Sequence, residues 1–350
     1  MTARWLGWLV VACSASAAHA DQLKSKVEPV PATEVPAPVI PARPPGQPRP
    51  KPLPAAGPAT PAALAAAARQ AETAELLGLT DDPLTGKADK VEGTEVRGLV
   101  TFTFDDGPNP DTTPAVLDAL ERYDVPATFF LVTRRLIGKS GEASRELLKR
   151  TLDAGFLVAS HSVSHPVLRG KGDKVFAAEI DQSIRTLARA SERSIGMFRA
   201  PFGAIDARGR AWLKKRGLTE VFWSIDTLDW QAKDEARLRK KVMSMILRQD
   251  GGVVLMHDVK PITAAVIGHV LDDLEAENCK RLATGTEPIL PVSIHYFLRD
   301  QKRSRAIPDA VKQRTAAYRA ALPARCAKRP PPPEASVLLG WWKQWVEIGP

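Results

Sequence analysis

Cysteine, long apolar runs and basic segments interleaved with aromatic residues are all scarce in this 350-residue chain. Because such a basic segment and zinc-finger spacing are both missing, we expect no binding to nucleic acid. The longest early apolar run, Trp5 to Ala12, is too short to span a bilayer. The net charge of +9 favours an anionic setting such as an acidic polymer or a membrane surface, or serves solubility alone.

The first twenty residues are typical of an export signal. Arg4 gives the positive start, the apolar run follows, and Ala18-His19-Ala20 offers a small-x-small cleavage site. Cys13 ends a short sequence that resembles a bacterial lipoprotein cleavage site, so lipid anchoring there stays open as the less favoured alternative. In both cases we expect an exported protein that is periplasmic, secreted or associated with the cell envelope.

Composition divides the chain further. Residues 21–64 are rich in proline and cannot bury a core, which predicts a disordered, semi-rigid tether. We expect a helix and a connector over 65–96, one globular domain over 97–300, and an extension over 301–350 with a proline-rich spacer and a Trp-rich tail. Cys279 and Cys326 either pair, as an oxidising compartment allows, or remain two free thiols.

Strand-like runs alternate with helical stretches from residue 97 onward. This order predicts a parallel sheet that is either closed as a barrel or doubly wound. A further helix is predicted over Pro308–Leu322. The seven predicted strands are Leu99–Phe104, Ala127–Val132, Phe156–Ser160, Met197–Ala200, Glu220–Ile225, Gly252–Met256 and Val292–Phe297.

The first predicted strand leads into two adjacent carboxylates, Asp105 and Asp106. In a regular strand neighbouring side chains point to opposite faces, so both acids can face one site only where the strand ends. Gly107-Pro108 is a strong turn signal and ends the strand at that point. Acids at the C-terminal end of a strand lie where an α/β barrel carries its catalytic groups.

The third predicted strand is followed by two histidines, His161 and His165. Pro166 disfavours a helix at His165, so we expect the pair on a loop. Together with Asp106 they form a set of two neutral imidazoles and one carboxylate. That set leaves ligand positions open and suits catalytic zinc or a similar divalent ion.

Three more polar segments follow later strands. Arg199 can hold a carboxylate ionised and oriented, and backbone N–H groups after Pro201 can face an oxyanion. Residues 226–230 form the second of these segments and carry two carboxylates. In the third, His257 is a natural proton donor near neutral pH, and a neighbouring carboxylate would raise its pKa.

Taken together, these segments resemble the five motifs of the polysaccharide deacetylases, the NodB-homology or carbohydrate esterase 4 family. The resemblance covers roughly residues 97–300 and implies a distorted (β/α)7 barrel, here with the proline-rich tether and the C-terminal extension outside it. The matching segments are Thr103-Phe104-Asp105-Asp106-Gly107-Pro108, His161-Ser162-Val163-Ser164-His165, Arg199-Ala200-Pro201-Phe202, Asp226-Thr227-Leu228-Asp229-Trp230 and Leu255-Met256-His257-Asp258.

The resemblance also implies a role for each residue. It implies a divalent metal, zinc first with cobalt or nickel as alternatives, held by Asp106, His161 and His165. It implies a general base and a general acid, each with a supporting residue: Asp105 with Arg199, and His257 with Asp229. Groups that would face the oxyanion or the substrate are the Phe202 N–H, Pro201, Trp230 and Leu255. We expect Arg199 and the metal to keep Asp105 ionised well below neutral pH.

The resemblance thus favours a hydrolase that removes N-acetyl groups from an N-acetylated glycan, and we expect the protein to be a monomer. Two alternatives stay open: an enzyme that cleaves an O-acetyl ester or another amide with the same site, and a non-catalytic wall-binding protein. The polymer is left open among peptidoglycan, chitin-type oligomers and poly-N-acetylglucosamine. The basic linker and the Trp-rich tail could contact a cell wall or a membrane surface.

Overall fold

The computed structural model describes residues 90–94, 96–298 and 307–329. The predicted export signal, proline-rich linker, Ala-rich helix and Trp-rich tail lie outside these residues. The strands are β1 (Lys90–Val91), β2 (Leu99–Asp105), β3 (Ala127–Leu131), β4 (Leu157–Ser160), β5 (Met197–Phe198), β6 (Thr219–Val221), β7 (Ile225–Asp226), β8 (Gly251–His257) and β9 (Leu290–Pro291). The helices are α1 (Thr113–Tyr123), α2 (Glu142–Asp153), α3 (Asp173–Phe176), α4 (Gln182–Ser191), α5 (Ala207–Lys215), α6 (Glu235–Gln249), α7 (Pro261–Ala283) and α8 (Asp309–Ala327). A π-helical turn, Ala177–Asp181, joins α3 to α4.

All strand pairs in the sheet are parallel, in the order β1-β6-β5-β4-β3-β2-β8-β7, with β9 beside the start of β2. β6 and β7 lie near opposite ends of this order, yet residues 222–224 alone connect them. A link of that length spans at most about 15 Å. The two edges of the sheet must therefore curl toward each other, and the prediction of a distorted α/β barrel is confirmed.

β2 is the central strand and is buried along all but its first residue. Its pairing with β8 runs from Leu99 opposite Gly251 to Asp105 opposite His257, so two of the polar strand ends lie side by side. Aromatic rings from β2 and β3 stack inside the sheet, with Phe104 and Phe129 centroids 5.2 Å apart. The C-terminal ends of parallel strands all lie on one side of the sheet. The packed strands of this core therefore determine where the polar residues at their C-terminal ends come together.

The prediction of seven strands was wrong in two places. The run Glu220–Ile225 is two strands, because the carbonyls of Val221 and Phe222 accept hydrogen bonds from the Arg199 side chain and the chain then crosses to the other sheet edge. The run Val292–Phe297 is not a strand. β9 ends at Pro291 and a 3₁₀ turn begins at Ile294, so these apolar residues fill the core from a turn.

The sheet also contains a strand in the segment that was predicted as helix and connector. β1 pairs with β6, with Lys90 opposite Glu220. The predicted boundaries of the linker, the domain and the extension stay predictions.

The helix predicted in the C-terminal extension is present as α8, and a disulfide between Cys279 and Cys326 joins it to α7. Of the two alternatives for these cysteines, pairing is the one observed. The cross-link spans 47 residues of sequence, a loop that stabilises by roughly 4 kcal/mol on the chain-entropy model. None of the helices in the described ranges is both long enough and apolar enough to cross a membrane.

Candidate active site

Both acids at the end of β2 face one point. Asp105 is the last residue of the strand, and Asp106 has a φ of 77°, so the chain turns at once into the left-handed region. As a result the Nε2 atom of His161 lies 3.6 Å from the Oδ2 of Asp105 and 3.6 Å from the Oδ1 of Asp106. The strand ends at Asp105, as predicted from the turn signal that follows the two acids.

Asp106, His161 and His165 form a group whose ligand atoms all lie within 4.8 Å of one another. The Nε2 of His165 lies 3.2 Å from Asp106 Oδ1, a buried oxygen with no hydrogen-bond partner among the described residues. A buried acceptor without a donor, facing two imidazoles, fits a cation.

His161 is held in the form that a metal ligand requires. Its Nδ1 lies 2.8 Å from the Arg199 carbonyl oxygen, which can only accept, so Nδ1 carries the proton and Nε2 keeps its lone pair. Burial lowers the pKa of His161 to about 3, against the opposing charge of Asp106. The ring is therefore neutral across the physiological range.

The loop that carries the two histidines is held by Glu179, a residue that sequence reasoning missed. Glu179 Oε2 accepts hydrogen bonds from the N–H groups of Val163 (3.1 Å) and Ser164 (2.9 Å), and Oε1 accepts one from the Ser164 hydroxyl (2.6 Å). Glu179 lies in the π-helical turn, a rare element that is often found at functional sites. Nothing in the local sequence indicates that contact.

Ser162 and His165 both have positive φ, 72° and 65°. The Ser162 hydroxyl oxygen accepts a hydrogen bond from the His165 N–H at 2.9 Å. Because left-handed backbone is costly for residues with a side chain, this loop keeps its shape only through such bonds.

Arg199 is fully buried, and its guanidinium donates hydrogen bonds to four acceptors. It donates to Asp105 Oδ1 (2.7 Å), to the Thr103 hydroxyl (2.9 Å) and to the carbonyls of Val221, the last residue of β6, and Phe222, which follows it. The guanidinium also lies 4.0 Å from the centre of the Phe130 ring. These contacts fix the orientation of Asp105.

Two opposing effects act on the ionisation of Asp105. Burial raises the pKa of Asp105 above its ordinary value, and Arg199 opposes this only in part. The expectation that Arg199 and the metal together keep Asp105 ionised well below neutral pH stays a prediction, and the desolvation of a carboxyl group that is 3% exposed acts against it.

His257 ends β8 beside Asp105 and is bound by Asp229. The Nδ1–H of His257 donates to Asp229 Oδ1 at 2.7 Å, and its backbone N–H donates to Oδ2 at 2.7 Å. The hydroxyl of Thr263, in the first turn of α7, donates to the same Oδ2 at 2.5 Å. Burial lowers the pKa of His257, but the bond to Asp229 and its charge outweigh that effect and raise the pKa to about 9.

Asp258 was part of the fifth segment but had no predicted role. It is fully buried, accepts a hydrogen bond from the Thr113 hydroxyl at 2.5 Å, and lies so close to Gly107 that a Cβ there would clash with it. Burial raises its pKa to about 7. Asp258 thus links the turn after β2 to the end of β8 and holds Asp106 and His257 at fixed positions relative to each other.

The other predicted residues lie around this centre. Phe202 has a φ of 59°, is 67% exposed, and its ring meets that of His165 edge-on at 4.5 Å. Trp230 is also exposed, at 52%, next to Asp229. Pro201 and Leu255 are buried beneath the surface. The exposed aromatic rings therefore adjoin a histidine of the metal group on one side and the partner of His257 on the other.

Comparison with known proteins gives one family and a set of relatives. The model of the polysaccharide deacetylase family matches residues 92–221. A chitooligosaccharide deacetylase of Bradyrhizobium is 36% identical over 167 residues, which are 46% of this chain and 71% of that protein. A peptidoglycan-N-acetylglucosamine deacetylase of Listeria monocytogenes is 34% identical over 199 residues, which are 56% of this chain but 40% of that protein.

Among solved structures, the family 4 carbohydrate esterase from Streptomyces lividans in complex with acetate is 30% identical. The match covers 53% of this chain and 90% of that one, with a TM-score of 0.46. The chain thus spans less than half the length of the Listeria relative and most of the length of the Bradyrhizobium relative.

Proposed function

This chain belongs to the polysaccharide deacetylase family, and on that premise we propose that it hydrolyses N-acetyl groups of a polysaccharide containing N-acetylglucosamine. The observation that carries the proposal is that three kinds of group surround one point. These are the Asp106–His161–His165 group, a buried carboxylate on Asp105, and a histidine, His257, whose pKa lies near 9. Amide hydrolysis needs all three: water activation, a proton acceptor and a proton donor.

Asp106, His161 and His165 would hold a divalent cation, with zinc as the first choice and cobalt or nickel as alternatives. Support comes from the donor set itself and from the unpartnered Oδ1 of Asp106. When bound, such a cation supplies a Lewis acid that polarises an acetamide carbonyl and lowers the pKa of water.

Asp105 is the general base of this proposal. It would take a proton from the attacking water, since its Oδ2 faces the metal group while Arg199 occupies its Oδ1. Arg199 is a positioning residue, because it leaves one oxygen of Asp105 free to accept.

His257 is the general acid. The 2.7 Å bond from its Nδ1–H to Asp229 leaves Nε2 to carry the proton that the leaving amine requires. With a pKa of about 9, His257 holds that proton at neutral pH. Asp229 is again a positioning residue, fixed in turn by Thr263.

The turn after β5 would complete the site. We assign the Phe202 N–H to the developing oxyanion, because its positive φ turns the backbone at a point where the ring contacts His165. Trp230, Leu255 and Pro201 would surround the acetyl group and the sugar that bears it.

Export is a further part of the proposal. It is supported by the export-type sequence of residues 1–20 and by the Cys279–Cys326 disulfide, which is typical of oxidising compartments. A cell-wall polysaccharide is then the substrate within reach.

The test is acetate release from a chitooligosaccharide and from peptidoglycan, before chelation, after chelation, and after zinc is restored. We expect release from at least one substrate, its loss on chelation and its recovery with zinc. An O-acetylated xylan substrate separates an ester hydrolase from an amide hydrolase. Binding to peptidoglycan without acetate release from any substrate would contradict the proposal and favour a wall-binding protein.

A further inference from the structure

Two neighbouring loops at the edge of the site carry positive charge without any acid. Segment 132–141, which follows β3, contains Arg134, Arg135 and Lys139, and segment 161–172, which follows β4, contains Arg169 and Lys171. Neither segment contains Asp or Glu. None of these five cations forms an ion pair with any other residue in the described ranges.

The two loops form one continuous surface beside the metal group. The Arg134 N–H donates to the Val163 carbonyl at 3.0 Å, and the Arg169 N–H donates to the Ala204 carbonyl, beyond the Phe202 turn, at 2.8 Å. Arg145 fixes the first loop through hydrogen bonds to the carbonyls of Leu136 and Gly138. The surface is therefore built and held by backbone contacts.

Three acids on neighbouring elements are already engaged, while Glu142, at the start of α2 directly after the first loop, is exposed. Asp173 is bound by Arg208, Asp206 accepts the N–H groups of Gly170 and Gly209, and Glu179 accepts from the histidine loop. These three acids do not compensate the positive charge of the loops, which carry five cations beside the single adjacent carboxylate of Glu142. The loop after β7 differs, since residues 227–234 carry two Asp and one Lys.

Apolar side chains are exposed among these cations. Ile137 is 52% exposed and Val167 is 46% exposed, and both are among the few large hydrophobic side chains that the described residues leave in solvent. We define the basic rim as Arg134, Ile137, Val167, Arg169 and Lys171. A surface with exposed cations and apolar side chains fits a partner that carries carboxylates together with small apolar groups.

We propose that the basic rim binds the acidic peptide that substitutes a peptidoglycan chain, so that peptide-bearing glycan is the preferred substrate. This inference rests on the proposed function and adds a substrate class to it. A neutral chitooligosaccharide offers no carboxylate to these cations, whereas peptide stems carry carboxylates beside alanine methyl groups. The rim lies next to His165 but supplies no group to the reaction.

The experiment compares three substrates with the full chain in its zinc-loaded form. They are a chitooligosaccharide, peptide-bearing glycan fragments, and the same fragments after an amidase has removed the peptides. The variant is Arg134→Gln/Arg169→Gln/Lys171→Gln. The matched control is Lys214→Gln/Lys215→Gln/Arg248→Gln, which removes equal charge from exposed positions at the C-terminal ends of α5 and α6. These helix ends lead into the N-terminal ends of β6 and β8, whereas the site lies at the C-terminal ends of the strands.

For the rim variant we expect kcat/KM on peptide-bearing fragments to fall about tenfold and that on chitooligosaccharide to fall less than twofold. The distal control should change neither, and raising the ionic strength should weaken only the peptide-bearing reaction. An equal loss on all three substrates, or in both variants, would overturn the proposal. So would an equal loss on amidase-treated fragments, since the anion would then be the sugar's own lactyl carboxylate. Wild-type protein inactive on every substrate would instead contradict the proposed function itself.

Discussion

The guanidinium of Arg199 donates a 2.7 Å hydrogen bond to Asp105 with 0% and 4% of the two side chains exposed. Such a pair is costly to bury and still more costly to break, because removing one partner leaves a charge in the core without compensation. The pair therefore couples the stability of the barrel to the ionisation of its proposed base.

Replacing Arg199 by Met should destabilise the protein by about 3–5 kcal/mol. It should also raise the pKa of Asp105 further, since the opposing charge and hydrogen bond of Arg199 are lost while burial remains. Denaturant unfolding measures the first effect, and the acid limb of the kcat/KM profile, which should move to higher pH, measures the second. Arg208→Met breaks an ion pair with about 60% of each side chain exposed and serves as the control, with an expected cost below about 1 kcal/mol. Equal effects of the two substitutions would contradict the coupling.

Asp105 and Asp106 offer a matched pair of isosteric substitutions. Asp105→Asn should keep the bound metal but lower turnover by about 10²–10⁴, because an amide cannot take a proton from water. Asp106→Asn should lose most of the metal, because it weakens one ligand of three. Metal content by mass spectrometry and turnover on one substrate give both readouts. The reverse pattern would exchange the two assigned roles.

Glu179→Ala should lower the affinity of the metal-free protein for zinc by about 10–100-fold, because outer contacts of a metal site commonly matter to that extent. Three hydrogen bonds are lost, all of them to Val163 and Ser164, which lie between the left-handed residues Ser162 and His165. Glu179→Gln should restore most of the affinity, since an amide oxygen still accepts from the two N–H groups. Zinc titration calorimetry measures it, with Gln182→Ala on the exposed surface of the next helix as control. Unchanged affinity in Glu179→Ala would rule out the anchoring role.

The site residues that could be predicted from the sequence alone are those that lie at the end of a strand. Asp105, His161 and His257 each come at or directly after a short apolar run, so the shared edge of a parallel sheet brings them together. Glu179 could not be found this way, because its role depends on a π-helical turn that brings it to a loop 15 to 16 residues away. The split of Glu220–Ile225 was missed for a similar reason: carbonyls that would continue a strand are taken by a side chain from elsewhere.

The pKa of Asp105 shows a second limit of prediction from the sequence. The neighbouring charge of Arg199 was visible as a residue type, but the degree of burial was not. Since the two effects oppose each other, the sign of the shift could not be read without the structure.

The remaining prediction concerns the alkaline limb of kcat/KM. His257 must be protonated to act as acid, so activity should persist while pH stays below its pKa and fall as pH rises through about 9. Asp229→Asn removes the charge and weakens the hydrogen bond that raise this pKa, whereas burial, which lowers it, remains. The limb should therefore move to lower pH, although the charges of Asp105 and Asp106 still act to raise the pKa of His257. Asp226→Asn is the control, because that carboxylate accepts from the Leu228 N–H in the same loop and is not among the main charges acting on His257. A limb that stays near 9 in Asp229→Asn would show that another group titrates there, and Asp229 would then serve only to hold the backbone of His257 and the hydroxyl of Thr263.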